Sequence, residues 1–342
     1  MASIKELAAY TGLSPSTVSI VLRGKSEERN IPVRTQDRVW EAAKVLGYQP
    51  NIVARRLRDR SENLPLIIAV FWATDFRAHM MVRFLRGIQK ELMESKKQYE
   101  IVIQPYTNDT LCDITSLRNS MYHAAIICNA SETDMNYLEG NKFSFPIVLY
   151  NRTSSHYCTV NIDDKEMGTM PAKIFAGRGH KKAAVLTSAS SYPGMDVRIN
   201  SFLSKCKEFN LDIVNICKVS NSMSGGFNGA IDLISDRKTS PDCIFCASDA
   251  IAIGALRAFH KNGIKLPDDL ELISIGNGDK EQEEYASTSL SVIKLPMEEM
   301  AIQCLRTITD LIANVSSEPY STLLPIQYIE RESCGGLDGI SE

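Results

Sequence analysis

The 342-residue sequence predicts an α/β protein: a small, three-helix head with a hinge helix, then two doubly wound parallel-sheet lobes. Three observations carry that expectation. Apolar residues recur at helical spacing, between capping and Gly/Pro stop signals, up to Leu46. From Leu66 onward, short apolar runs alternate with helical stretches in two successive series. The charge also changes sign along the chain. Residues 1–60 hold 11 Lys and Arg against 6 Asp and Glu, whereas the whole chain holds 38 against 41, so a head of +5 precedes a body of −8. A basic head of this kind seeks a polyanion, and the acidic body has another task.

The head is read first. Ser3-Ile4-Lys5-Glu6 has the S-x-x-E form of a capping box, and Ile4, Leu7 and Ala8 then form one apolar side of a short helix. Gly12 is placed to end it, because the residue after a helix favours the left-handed region. Ser14 is the next N-cap, with Pro15 at the first helical position, where its missing N–H costs nothing. Val18, Val21 and Leu22 point one way; Ser16, Ser19 and Ile20 point elsewhere, and Gly24 stops the helix. Two short helices around a Gly-containing turn form a helix-turn-helix, whose second helix would enter a DNA major groove. A third helix fits Pro32 to Leu46, with Trp40 expected as the plug of a three-helix core. After Gly47-Tyr48-Gln49-Pro50, the run Asn51–Arg58 is a short helix, both basic and apolar. Eight residues are marginal as a helix in water, so this one needs a partner helix or DNA.

In the body, Leu66–Val70 is a continuous apolar run, the mark of a strand buried on both faces. Met80–Glu94 is helical, and Tyr99–Ile103, Ala124–Cys128 and Ile147–Tyr150 are further strands. The alternation restarts after Asp163. Helices are expected at Met167–Ala176, Arg198–Phe209, Gly226–Ser235 and Asp249–Asn262, and strands at Lys182–Thr187, Asp212–Lys218, Cys243–Cys246 and Glu271–Ile275. Two such series imply two parallel sheets whose strand ends face a cleft.

Several function classes drop out. No apolar run is long enough to span a membrane, and the N-terminus lacks the pattern of a secretory signal, so a cytoplasmic protein is expected. Nine scattered cysteines suit reduced thiols rather than a disulfide framework. The sequence has no nucleophile elbow, no phosphate-binding loop and no H-E-x-x-H, so no catalytic residue, cofactor or metal is expected. Cys243 and Cys246 form a C-x-x-C inside a strand, where their side chains point to opposite faces and read as buried thiols. His180 reads as a turn residue at a helix end.

The segment ASIKELAAYTGLSPSTVSIVLRGK, followed by RVWEAAKVLGYQPNIVARRLR, resembles the LacI/GalR family of bacterial transcriptional regulators. The resemblance continues to about residue 335 through Arg178–Val185, Ser248–Ala255, Leu266–Leu270 and Tyr328–Ser333. It implies a helix-turn-helix domain over 1–48, a hinge helix over 49–60, and a regulatory and dimerisation core over 61–335 with the architecture of periplasmic sugar-binding proteins. The first lobe is expected at about 64–162 and 293–322, the second at 163–292 and 323–335, with crossings near Asp163, Ile293 and Leu323. The implied partners are double-stranded, pseudo-palindromic operator DNA, a second copy of the chain, and a small-molecule effector such as a sugar. The implied DNA contacts are Ser3, Pro15, Ser16, Thr17, Ser19 and Ile20 in the head, and Asn51, Ala54, Arg55 and Leu57 in the hinge. Leu57 occupies the position of the family's minor-groove wedge, which unstacks a base step to bend the site.

The implied effector contacts are Trp72, Asp75 and Phe76 after the first strand, Asn129 and Asn151 after later strands, Arg198, Ser248 and Asn277. Trp72 could equally serve lobe packing, and Arg198 a surface salt bridge. The chain departs from the family pattern here: Asn151 and Ser248 stand where Asp and Asn are common, Asn277-Gly278 replaces an aromatic-Asp pair, and Leu295 stands where Gln is frequent. Several hydroxyl-binding groups are thereby lost, which points to an atypical effector. The resemblance thus implies a repressor whose operator affinity is controlled from the cleft. Another reading stays open, a cytoplasmic sugar-binding protein whose head serves oligomerisation.

In the recognition helix, Ile20 stands where the family usually has an arginine able to bond guanine bidentately, so it can make only apolar contact, such as with a thymine methyl. Ile20→Arg should therefore shift preference toward guanine at one position of each half-site. In vitro site selection with both proteins checks this, and an unchanged base preference would reject it.

Overall fold

The computed structural model describes residues 4–22, 26, 29–46, 65–74, 80–95, 98–118, 122–189, 193–235, 240–313 and 318–335. By compactness the chain divides into two units, Met1–Leu64 with Thr115–Met121, and Pro65–Ile114 with Tyr122–Glu342.

In the first unit, α1 (Ile4–Thr11), α2 (Pro15–Leu22) and α3 (Val33–Val45) enclose a core of Leu7, Ala8, Val18, Val21, Leu22, Val39, Ala42 and Ala43. Gly12 takes φ +60°, the left-handed turn that separates the first two helices. Ser14 caps α2, its Oγ accepting the Thr17 N–H at 3.1 Å. Trp40 corrects an expectation. Its side chain is 47% exposed, because Val39, Ala42 and Ala43 set the buried stripe of α3 and Trp40 lies one residue, about 100°, around the helix from Val39. Small alanines fill the core where a large ring was expected.

The second unit contains two six-stranded sheets. Its strands in chain order are β1 (Leu66–Ala73), β2 (Tyr99–Tyr106), β3 (Ala124–Cys128), β4 (Ile147–Tyr150), β5 (Cys158–Ile162), β6 (Lys182–Thr187), β7 (Asp212–Lys218), β8 (Cys243–Cys246), β9 (Glu271–Gly276), β10 (Ser291–Lys294), β11 (Ser321–Leu324) and β12 (Gln327–Ile329). The helices are α4 (Met81–Glu94), α5 (Thr115–Arg118, grouped with the first unit), α6 (Glu132–Glu139), α7 (Asp164–Gly177), α8 (Pro193–Glu208), α9 (Met223–Ser235), α10 (Asp249–Lys261), α11 (Lys280–Glu284) and α12 (Met297–Ile312). The first sheet runs β2-β1-β3-β4-β5-β11, all parallel. The second runs β7-β6-β8-β9-β10-β12, parallel except for β12. In each, strand order reverses beside the first strand of the series, the switch point where open α/β sheets bind ligands.

Tracing the chain places the passages between lobes. The first follows β5. The second follows Lys294, because β10 lies wholly in the second sheet, slightly later than the expected Ile293. The third follows Leu324, the end of β11, rather than Leu323.

Arg83 on α4 fastens this region. It donates to both Glu298 carboxylate oxygens at 2.8 and 2.7 Å, and to the carbonyls of Leu295 at 3.0 Å and Gly278 at 3.2 Å. One buried fork thus ties the first lobe to the second passage and to the loop after β9. Behind Gly278 lies the buried carboxylate of Asp249, and beside Gly276 that of Glu283, with Arg331 Nη1 3.4 Å from Glu283. Burial and the Asp249 charge push the Glu283 carboxyl up to about 7, against the pull of Arg331 and Arg83. A carboxyl held more basic in the fold than in the unfolded chain favours folding while protonated. Its contribution is complete below its ordinary value of 4.5 and disappears as pH rises through about 7. Glu283→Gln should therefore flatten the fall in stability across that window, as read by denaturant unfolding at several pH values. An equally steep fall in the variant would contradict it.

Glycines let the second lobe's helices approach closely. A Cβ on Gly168 of α7 would stand 1.9 Å from the Arg198 carbonyl oxygen of α8, whereas one on Gly177 would meet nothing within 4 Å. Gly168→Ala should cost about 1–3 kcal/mol through forced helix separation. Gly177→Ala, a helix-propensity gain, should be neutral or stabilising by up to about 1 kcal/mol. Urea unfolding of both checks the pair, and equal effects would reject the contact argument.

Candidate effector cleft and DNA-binding head

The central strands of both sheets are almost wholly apolar and buried, so polar groups collect where the strands stop. A cavity in the second unit is lined from the carboxyl ends of six of them. Asn129 follows β3, Asn151 and Arg152 follow β4, Thr187 ends β6, Ala247 follows β8, Asn277 follows β9 and Leu295 follows β10. Asn129 and Asn151 take φ +61° and +51°. Asparagine tolerates the left-handed region better than other side-chain-bearing residues, so both strands turn sharply there while keeping an amide at the cavity.

Two buried arginines also line the cavity. Arg152 is anchored by carbonyls, its Nε donating to Ala130 and its Nη1 to Asn151, each at 2.6 Å. Arg198 on α8 donates from Nε to the Asp164 carboxylate at 2.7 Å. Asp164 and Gly168 are four residues apart on α7, hence on one face. The first fixes the Arg198 side chain and the second lets its backbone approach.

The expected cleft residues therefore divide. Asn129, Asn151, Arg198 and Asn277 come together in one cavity. Trp72 does not line it: β1 runs on to Ala73, and the indole is 1% exposed, packed against Phe84 with ring centres 5.3 Å apart and Tyr150 at 6.3 Å. It supports the cavity from behind, through Tyr150. Ser248 does not line it either. Its Oγ caps α10, accepting the Ile251 N–H at 3.3 Å, and donates to Asn221 Oδ1 at 2.6 Å, so it orients a lining residue. Asp75 and Phe76 lie outside the described residues. Arg152, Tyr150, Thr187, Met195 and Asn221 are lining residues not singled out in the sequence. For Arg152 the signal was its place directly after a strand and Asn151; for Asn221 nothing local distinguished it from other loop polar residues.

In the head, Pro15 and Ser16 are exposed at the start of α2, and Thr17, Ser19 and Ile20 are half-buried. Hydroxyls of Ser16 and Thr17 lie 3.2 and 2.8 Å from Ser14 Oγ, a cluster that orders the first turn of the helix. The face opposite Val18, Val21 and Leu22 thus carries small groups, shaped for close approach to a groove. Ser3, Asn51, Ala54, Arg55 and Leu57 lie outside the described residues.

One further polar cluster adjoins the second sheet. His180 follows the end of α7 and Gly179, which takes φ +89°. Its Nε2 lies 2.6 Å from Glu271, which also binds Arg178. Burial raises the Glu271 carboxyl, but hydrogen bonds from His180, Arg178 and Cys334 outweigh it and hold it at about 2. Ligand-type atoms of His180, Asp242 and Cys243 lie within 4.8 Å of one another, yet burial pushes the Cys243 thiol far up, opposing the thiolate a soft metal needs. The cluster is a charged strut between α7 and β9. Cys243 and Cys246 are both buried, free thiols within β8. No helix among the described residues is long and apolar enough to cross a membrane.

Comparisons with known proteins agree with this geometry. Residues 3–51 match the profile of bacterial regulatory proteins of the lacI family, and residues 172–334 that of the periplasmic binding protein-like domain. A probable HTH-type transcriptional repressor, ExuR of Bacillus subtilis, is 24% identical over 97% of this chain and 98% of its own length. The lac repressor dimer, solved with operator and an anti-inducer, shares the fold with TM-score 0.69 at 18% identity, over 97% of this chain and 99% of that one. The crystal structure of a LacI family transcription regulator from Clostridium acetobutylicum is 34% identical, with TM-score 0.73, over 77% of this chain and 99% of that one. A relative this similar, matched over nearly its whole length, together with the lacI-family match over residues 3–51, shows the family: the chain belongs to the LacI family of bacterial transcriptional regulators.

Proposed function

We propose that the chain is a repressor that binds a pseudo-palindromic operator as a homodimer, and that a small molecule in the cleft controls its operator affinity. One observation carries this reading. A single chain joins a helix-turn-helix, its recognition face lined with small side chains, to a polar cavity built from the strand ends of two sheets. Residues 1–48 would read the major groove, 49–60 would form the hinge, and the rest would sense the effector. The chain passes between the two sheets three times, so a ligand that changes the angle between the lobes moves all three connections at once. The hinge segments Asn51–Arg58 of the two copies would then separate, and helices this short melt without a partner. The +5 head supplies phosphate neutralisation, and the acidic body limits non-specific contact with DNA. The repressor names of relatives such as ExuR support the sign of regulation.

Operator selection in vitro followed by binding titrations tests this. Affinity should fall steeply with salt, and a metabolite screen should yield a compound that alters it. Leu57→Ala should weaken specific binding by about 10- to 100-fold, as loss of a buried leucine contact predicts, while leaving non-specific binding nearly unchanged. A flat salt response without sequence preference would instead favour a ligand-binding protein whose head serves oligomerisation.

A further inference from the structure

We propose that Ser248, outside the cavity wall, is a positioning residue that fixes the hydrogen-bonding polarity of the cleft toward a hydroxyl-bearing effector. It holds the Asn221 amide with Nδ2 as the free end, so that Asn221 reads an acceptor on the ligand, while Asn277 reads a donor. The proposal rests on the effector-controlled reading above. A serine hydroxyl has one proton and two lone pairs. One lone pair caps α10, where Ser248 Oγ accepts the Ile251 N–H at 3.3 Å. The proton goes to Asn221 Oδ1, 2.6 Å away. Ser248 is 2% exposed, and Asn221 Oδ1 is the one acceptor its hydroxyl meets among the described residues. With the amide turned over, Nδ2 would face Oγ and the buried hydroxyl proton would have no partner, a cost that the observed orientation avoids. Oδ1 therefore faces Ser248.

Asn221 lines the cavity from the loop between β7 and α9, and its Nδ2 makes no hydrogen bond among the described residues. Asn277 offers the opposite group. It follows β9 in the same lobe, and its Oδ1 is buried without a hydrogen-bond partner among the described residues. A buried acceptor of this kind is satisfied by a donor that the ligand brings. A ligand hydroxyl is thus read in two ways, as acceptor at Asn221 and as donor at Asn277. The fold explains why the first of these is set from behind. β8 is buried at every residue and ends at Cys246; Ala247 lines the cavity with no polar side chain, and Ser248 turns inward to begin α10. Capping alone would accept Ser, Thr or Asp at this position. These side chains give Asn221 different instructions. Serine and threonine donate to it, whereas an ionised aspartate can only accept, and would turn Nδ2 toward itself and Oδ1 toward the ligand.

Thermal unfolding of the full chain with D-glucose, D-galactose, D-xylose and D-ribose at millimolar concentration selects the probe. Calorimetric titration then compares that sugar with its mono-deoxy and mono-deoxyfluoro analogues, since fluorine keeps a weak acceptor and removes the donor. At the ring position that meets Asn221, the fluoro analogue should bind about 2- to 10-fold more tightly than the deoxy analogue. At the position that meets Asn277, both should bind about 10-fold more weakly than the parent sugar. Ser248→Thr should keep this pattern. Ser248→Asp, which also caps α10, should remove the advantage of fluorine at the first position and leave the second unchanged. Where Ser248→Asp does not fold, Asn221→Asp decides, because it turns an acceptor to the ligand without altering the cap. A capping role alone predicts one pattern in all of these proteins. A fluorine advantage that survives the aspartate variant or is lost in Ser248→Thr, or a panel in which no sugar stabilises, overturns the proposal. The reading on which it rests fails separately, on DNA: if no operator is selected, the switch is wrong whatever occupies the cleft.

Discussion

Strands buried on both faces leave little room for polar side chains along their length, and this constraint shapes the whole body. β3, β4, β8 and β9 are buried at every position. Any group that must meet a ligand is pushed to the point where a strand ends, and parallel strands all end on the same side. Two sheets of equivalent order, joined by three passages, then present two sets of strand ends to one cavity. Asparagines in left-handed turns, an arginine anchored on carbonyls and an arginine held by a helix-borne aspartate are local solutions to the same problem. Each puts a polar group into the cavity without placing it along a buried strand.

The same constraint links sensing to movement. The lobes share no sheet, so their relative angle is held by the passages, by apolar packing continuous through both, and by polar fasteners, with Arg83 bonded to Glu298, Leu295 and Gly278 among them. A fastener of hydrogen bonds holds a defined geometry and can be re-formed in another, unlike a packed apolar interface. Control by a small ligand then needs only a difference in its affinity for two lobe angles, since that difference is all a ligand can contribute to an equilibrium.

Much of this was legible in the sequence because it depends on periodicity and local chemistry. The Gly12 turn, the Ser14 cap and the order of strands follow from patterns a few residues long. What escaped depends on neighbours distant in sequence. Trp40 has the size of a core residue, yet Val39, Ala42 and Ala43 form the buried stripe of its helix and leave the ring outside it. For Trp72 the pattern leaves ligand contact and lobe packing open, and packing is found because β1 continues past Val70 with three further buried positions. Ser248 was matched by position, but its hydroxyl is occupied by helix capping and by Asn221. Arg152 carries no local signal beyond its place after Asn151, since its burial and its carbonyl anchors arise from tertiary packing.

The central claim is that cleft and operator are coupled, and coupling is reciprocal. If an effector changes operator affinity by some factor, operator must change effector affinity by that same factor. Calorimetric titration of the effector into the free protein and into the protein–operator complex measures this directly. The account predicts two different dissociation constants, whose ratio equals the effector's effect on operator binding. Equal affinities for the free and operator-bound protein would contradict it.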